Sequence, residues 1–313
     1  MSNNLARLSP ETAHQYATLR ARVIGAHGPD ADARFTRYTQ RLNEDESFAK
    51  RIHVLTARSE PCALAGIMGA PLSSGEWQTI LDWSTEPSHE DTILATLPGL
   101  LAAWLQDLRG LEEPPRELTM RLNLDRAFPG LEDVFASAGW IRRKERYEFK
   151  TPVENLPTDW EGPLEWRDLE RVGADLFASV IDEAGPGPEW EEEDHGAKVL
   201  ADCLSDEDLT CDPSCAEIGF TRAGEPAAFI IAQTAPDDGW CTISFMGVVS
   251  AMRGRGLGAW VHRRGFELMR RQGGLLYHGG TSATNKRMLS LFDRHGCEHH
   301  ARLSEWSYDL RPA

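Results

Sequence analysis

The chain has no run of 18 or more apolar residues, and its opening residues (MSNNLARLSPETAHQY) hold no apolar core of the kind a secretion signal needs. Clustered cysteine is missing too. Cys62, Cys203, Cys211, Cys215, Cys241 and Cys297 are scattered, which excludes a short disulfide framework and leaves free thiols. The expectation is a protein of the reducing cytoplasm that does not enter a membrane. Zinc spacing is absent: Cys203, Cys211 and Cys215 stand eight and four positions apart, and the crowded His295, Cys297, His299 and His300 fall where a turn enters a strand, which sends alternate side chains to opposite faces. No metal is expected. Positive charge is scarce, with 33 Lys and Arg against 49 Asp and Glu and a net charge of -16. Such a surface repels phosphate backbones and anionic lipid, so nucleic acid is not an expected partner. It suits a cationic small molecule, or serves solubility alone.

What is present is enough chain for two domains. The sequence of 313 residues exceeds one small core, and 41% hydrophobic with 26% charged residues is ordinary for folded protein. Residues 151–162 (TPVENLPTDWEG) carry two prolines and little periodicity, which reads as a linker between a domain at 1–152 and one at 160–313. The halves end alike. Each has a helix with Phe, three residues and Gly, then a basic stretch, then a strand with aromatics. Phe135 with Gly139 and Phe292 with Gly296 are both offset by 157 positions, which points to an internal duplication. In the second half helices are predicted over 169–181 and 191–203, strands over 216–221, 227–233 and 242–249, a helix to 271, a strand over 274–278, a helix over 285–295 and strands within 298–310. The first half shows strands over 53–57, 63–68 and 78–83, a helix over 93–108 and a strand over 117–123. This mixture predicts an α/β (α+β) fold.

Residues 243–261 (ISFMGVVSAMRGRGLGAWV) carry the chemistry. An apolar strand ends at Val249, and Arg253-Gly254-Arg255-Gly256-Leu257-Gly258 leads into an amphipathic helix. Glycines let backbone approach a ligand, and the unpaired N–H groups of a helix start, at the positive end of its dipole, suit a diphosphate. Arg253 and Arg255 add charge. The spacing is neither a Walker A loop, which needs Lys and Ser or Thr after glycine, nor a G-x-G-x-x-G dinucleotide fingerprint.

The Arg-x-x-Gly-x-Gly pattern of residues 253–258 resembles the coenzyme A pyrophosphate loop of the GNAT N-acetyltransferase superfamily. Met246-Gly247-Val248-Val249 is similar to that family's fourth strand, and Asn285, Phe292 and Gly296 resemble its last-helix pattern, 27 residues beyond Gly258. The resemblance implies two GNAT-like domains in tandem, each a mixed, mostly antiparallel sheet flanked by helices. It implies acetyl-CoA as co-substrate and transfer of acetyl to a small amine. Met246, Gly247, Val248 and Val249 would meet the pantetheine arm, residues 253–258 the diphosphate, and Asn285 and Phe292 the cofactor's neighbourhood. Length and tandem arrangement are similar to those of mycothiol synthase, without transfer of that enzyme's substrate.

The chain departs from the family at two positions. Phe292 stands where a tyrosine often protonates the departing thiolate; Tyr277, Tyr308, Ser282 and Cys297 are substitutes. Ser244 stands where some members have a glutamate base. Ser244 could hold a water, and His278 titrates in the right range. The Val248 N–H is the expected oxyanion donor. Residues 189–194 (EWEEED) either draw in a cationic acceptor or form a solvated helix start. The matching loop of the first half, residues 83–93 (WSTEPSHEDTI), has no glycine and carries Glu90 and Asp91, so that domain is expected to be degenerate and without coenzyme A. A monomer or homodimer is expected. The alternative reading is a non-catalytic acyl-CoA binding or sensing module.

Overall fold

The computed structural model describes residues 3–25, 29–71, 77–157, 162–185, 195–205, 209–235 and 239–311. The chain runs β1 (Asn3–Arg7), α1 (Pro10–Val23), α2 (Pro29–Glu44), α3 (Glu46–Lys50), β2 (Ile52–Ala57), β3 (Ala65–Pro71), β4 (Trp77–Trp83), α4 (Glu90–Arg109), β5 (Glu117–Asn123), α5 (Leu131–Ser137) and β6 (Ile141–Pro152). It continues with β7 (Glu165–Asp168), α6 (Leu169–Val172), α7 (Ala174–Ala184), α8 (Gly196–Leu204), β8 (Ala216–Phe220), β9 (Pro226–Thr234), β10 (Trp240–Val248), α9 (Leu257–Arg271), β11 (Leu276–Ser282), α10 (Lys286–Arg294) and β12 (His299–Asp309). The second series repeats the first: a strand, helices, three antiparallel strands, a long helix, a strand, a short helix and a last strand. Gly139 and Gly296, the paired helix-ending glycines, have φ of 88° and 68°.

The compact units are not the contiguous halves 1–152 and 160–313. One comprises Met1–Lys144 with Leu303–Ala313, the other Glu145–Arg302. The reason is strand pairing. In the first unit the strand order is β1-β2-β3-β4-β5-β12, with Leu303 to Asp309 of β12 antiparallel to β5. In the second it is β6-β11-β10-β9-β8-β7, with Arg146 to Pro152 of β6 antiparallel to β11. Each sheet is thus completed by the last strand of the other repeat. The predicted linker is therefore part structure: Thr151 and Pro152 close β6, and residues 153–155 form a 3-10 turn.

Helices cover both faces of each sheet, because strands buried on two sides need two apolar layers. In the first unit Leu97, Leu100 and Trp104 of α4 pack one face, while Tyr16 of α1, Tyr38 and Phe48 pack the other. In the second, Val261, Phe266 and Met269 of α9 pack one face, and Phe177 and Ile181 of α7 with Leu200 of α8 pack the other. Gly173, at φ 80°, breaks the expected helix over 169–181 into α6 and α7. Strand β11 is longer than expected and reaches Ser282.

Candidate functional site

The site lies in the second unit, where two neighbouring strands part. β10 and β11 are parallel and pair at Trp240 with Leu276 and at Cys241 with Tyr277. Beyond that β10 stays with β9, through a bulge between Ile243 and Phe245. The Val249 N–H donates to Ala227 O on the β9 side at 2.9 Å. Strand alternation then turns the N–H and C=O groups of Val248 and Met246 toward the opening of the fork. Gly247 lies between them because a Cβ there would come within 2.5 Å of the Phe229 ring.

The chain leaves β10 through a 3-10 turn at Ser250–Met252 and enters α9. Gly254 and Gly256 have φ of 78° and 76°, which other residues adopt only with strain. Both are surrounded by open space, so conformation and not crowding selects glycine. Among the described residues, no acceptor is recorded for the N–H groups of Gly254, Arg255, Gly256, Leu257 and Gly258. No side chain caps α9. This leaves a row of donors at the positive end of a 15-residue helix.

These elements wall a cleft of about 760 Å³. Of the residues singled out from sequence, Met246, Gly247, Val248, Arg253, Gly254, Gly256, Leu257, Gly258 and Asn285 line it. Sequence reasoning missed the opposite wall: Lys286, Arg287 and Arg294 of α10 also face the cleft, as do Met252, Met288 and Leu291. Together with Arg253, four cations meet there without a carboxylate among the described lining residues, in a chain of net charge -16. The spacing of α10 carried the signal, since positions 287, 291 and 294 share one helical face.

Several expected site residues have structural partners of their own. The Arg253 guanidinium braces the loop: it donates from Nε to Val248 O at 3.2 Å and from Nη2 to Ala184 O. Ser250 Oγ adds a bond to Glu183 O at 3.1 Å, so the loop is fastened to the C-terminal carbonyls of α7. Arg255 and Val249 do not line the cleft. Asn285 caps α10, accepting from Met288 N at 3.2 Å and donating to Thr281 Oγ1 at 3.0 Å. Phe292 is 1% exposed and stacks on Phe149 at 4.0 Å, so it belongs to the core and not to the cleft. The Ser244 hydroxyl donates to Gln233 Oε1, and Gln233 Nε2 donates to the carbonyls of Cys203 and Leu209 at 3.0 Å each. Ser244 thus ties β10 to β9 and the end of α8.

His278 sits beside the closed end of the fork. Its Nε2 is 3.5 Å from Glu148 and its ring meets Trp240 edge-on. Six residues of strand, roughly 20 Å at 3.3 Å each, separate that level from Val248. The structure does not bring His278 to the expected oxyanion donor. Among the thiolate-acid substitutes, Tyr277 and Cys297 are buried, and burial pushes the Cys297 thiol up to about 12. Tyr308 lies in the first unit, where Arg109 donates to its hydroxyl at 3.0 Å. Residues 189–194 lie outside the described residues. Of the crowded histidines and cysteine near the C-terminus, His295 and Cys297 are buried while His299 and His300 are exposed.

The first unit has the same fork: β4 and β5 pair from Trp77 to Thr79 and then separate. Its long helix differs. α4 begins at Glu90, spans 20 residues, and has Glu90 and Asp91 in its first turn, where the second unit has a glycine loop ahead of its helix.

The fork, the glycine loop and the helix start are matched by one family model. Residues 177–297 fit the model described as the acetyltransferase (GNAT) family. They form a GNAT domain. The whole chain is similar in fold to a GCN5-related N-acetyltransferase from Sphaerobacter thermophilus, with 16% identity and a TM-score of 0.60 over 99% of this chain and 96% of that one. It is also similar to a tandem GNAT protein from the clavulanic acid biosynthesis pathway, with 14% identity and a TM-score of 0.52 over the full length of both chains. The chain therefore has the tandem GNAT fold. No curated protein matches its sequence. Among the described residues no helix is long and apolar enough to cross a membrane, and no group of three metal-binding side chains is found.

Proposed function

We propose that the second unit transfers an acetyl group from acetyl-CoA to a small amine. One observation carries this: the free edge of β10 and the unpaired amides of residues 254–258 border one cleft whose charged side chains, among the described residues, are all basic. The residues fit the donor. The amides of α9 and the cations Lys286, Arg287 and Arg294 would hold its phosphates. The outward N–H and C=O groups of Met246 would pair with the amides of its pantetheine arm, which leaves the Val248 N–H for the thioester.

When bound, acetyl-CoA supplies an activated thioester. The Val248 N–H would take up charge on its carbonyl oxygen as the amine nitrogen bonds to the carbonyl carbon. The carbon–sulfur bond then breaks and coenzyme A leaves. Positioning at the fork does most of the work. The amine's proton goes to solvent, since neither Ser244 nor His278 is held at this point. The first unit is proposed not to bind coenzyme A: Glu90 and Asp91 oppose a diphosphate where α4 begins.

The second reading, a non-catalytic acyl-CoA module, is favoured by the commitment of Ser244 to Gln233 and by the burial of Phe292. Thiol release from acetyl-CoA, followed across a panel of primary amines, separates the two. Turnover with one amine class is expected. Tight coenzyme A binding without turnover on any amine would select the module, and no binding at all would remove both.

A further inference from the structure

Beside the main cleft, and sharing Gly256, Ala259 and Arg294 with it, is a smaller cavity of about 330 Å³ between α9 and α10. Trp260, Arg263 and His295 complete its wall. His295 is 3% exposed, and among the described residues its buried Nε2 has no hydrogen-bond partner. A buried polar atom left unpaired is costly, and this one belongs to a residue of the cavity wall.

Whether that nitrogen donates or accepts follows from a buried chain behind it. Tyr277 Oη lies 3.2 Å from His262 Nε2, and His262 Nδ1 lies 2.9 Å from His295 Nδ1. Burial holds both imidazoles neutral, His262 well below its ordinary value and His295 at about 4, and it holds the Tyr277 phenol protonated. Two proton arrangements are open. If His262 donated to Tyr277, the buried phenolic hydrogen would have no acceptor and His295 Nε2 would be a bare lone pair beside Arg263 and Arg294. If Tyr277 donates to His262, His262 donates through Nδ1 to His295, and a single N–H is left over, on His295 Nε2. The second arrangement wastes fewer bonds. It leaves an unsatisfied N–H on a residue of the cavity wall, beside two guanidiniums.

We infer that this cavity binds a phosphomonoester, and that in this chain it receives the 3′-phosphate of the coenzyme. The inference rests on the acetyl-CoA reading above, and it adds a specificity element to it: Arg263, Arg294 and the His295 Nε2–H select the phosphorylated coenzyme over its 3′-dephospho form. Tyr277 is a positioning residue that acts through His262 by fixing which nitrogen of His295 carries the proton.

The test compares dissociation constants of coenzyme A and 3′-dephospho-coenzyme A on the full chain by calorimetry. Charge-assisted bonds of this kind predict a preference of roughly tenfold or more for coenzyme A. Arg263→Gln should reduce that ratio to within about threefold, with dephospho-coenzyme A affinity unchanged. Tyr277→Phe, which keeps the ring in place, should reduce the ratio in part, an effect that a purely structural role would not produce. Equal binding of the two coenzymes by the wild type overturns the subsite and leaves the proposed function standing. An unchanged ratio in both variants also overturns it. Failure of both ligands to bind removes the acetyl-CoA reading itself.

Discussion

Arg253 donates to the carbonyl oxygen of Val248, five positions back along the chain, at 3.2 Å. The residue that looks in sequence like a phosphate ligand is first a brace. It joins the last outward carbonyl of β10 to the end of α7, and so holds the loop in the shape that leaves its amides open. Replacement by Ala should weaken coenzyme A binding by roughly tenfold and lower stability by about 1–2 kcal/mol, since two carbonyls lose charged donors. Arg253→Lys should recover little, because one ammonium cannot reach both carbonyls in the same fork. Coenzyme A titration with a denaturant melt on each variant checks this.

Gly256 has φ of 76° at the start of α9. Gly256→Ala should cost about 1–2 kcal/mol in strain, though the space around it is open. Gly256→Asp adds a carboxylate among the amides and should reduce coenzyme A affinity more than tenfold. A thermal melt and a binding isotherm separate the two effects. An unimpaired Gly256→Asp variant would argue against a diphosphate at this loop.

The buried histidines make stability depend on pH. Burial lowers His295 to about 4 in the folded unit against 6.5 for the free side chain, and it also holds His262 well below its ordinary value. A depressed histidine binds its proton in the unfolded chain first. Stability is therefore complete above about pH 6.5 and falls as pH drops through the window from 6.5 toward 4. The slope approaches about 1.4 kcal/mol per pH unit for each histidine. Urea unfolding of the full chain at pH 7.0, 6.0 and 5.0 should show this decline, and a flat profile would contradict the neutral pair.

Arg264 of α9 grips Glu217 of β8 with two bonds of 2.7 Å, and both side chains are nearly buried. Arg264→Ala leaves the buried carboxylate with the longer contact to Arg271 Nη1 at 3.5 Å and should destabilise by up to about 3–5 kcal/mol. The double replacement Arg264→Met with Glu217→Leu should regain much of this. Denaturation midpoints of the three proteins decide it.

The strand and helix content of the second unit was legible because β9, β10 and α9 have strong patterns between glycine turns. The loop at residues 253–258 was legible for the same reason: its geometry is local. The opening of the first unit was overlooked although Ser9, Pro10 and Thr12 spell a capped helix start, and the structure forms that cap. What sequence could not supply was long-range. Nothing near Phe292 says that Phe149 will stack on it, nothing near Ser244 names Gln233, and no local pattern reveals that Arg253 turns back to Val248. The basic wall of α10 could have been read from periodicity. The pairing of β6 with β11 and of β12 with β5 could not, because either strand satisfies the same alternation in either sheet.

That pairing has a consequence for dissecting the chain. A single cut near residues 158–161 would release two fragments, each carrying the strand that finishes the other's sheet and lacking its own. Unless its own last strand folded back onto it, each fragment would leave the edge of β5 or β11 uncovered and be prone to aggregate. Mixed together, they should reassemble like a split reporter. Deletion of either repeat would therefore also remove a strand from the sheet that remains.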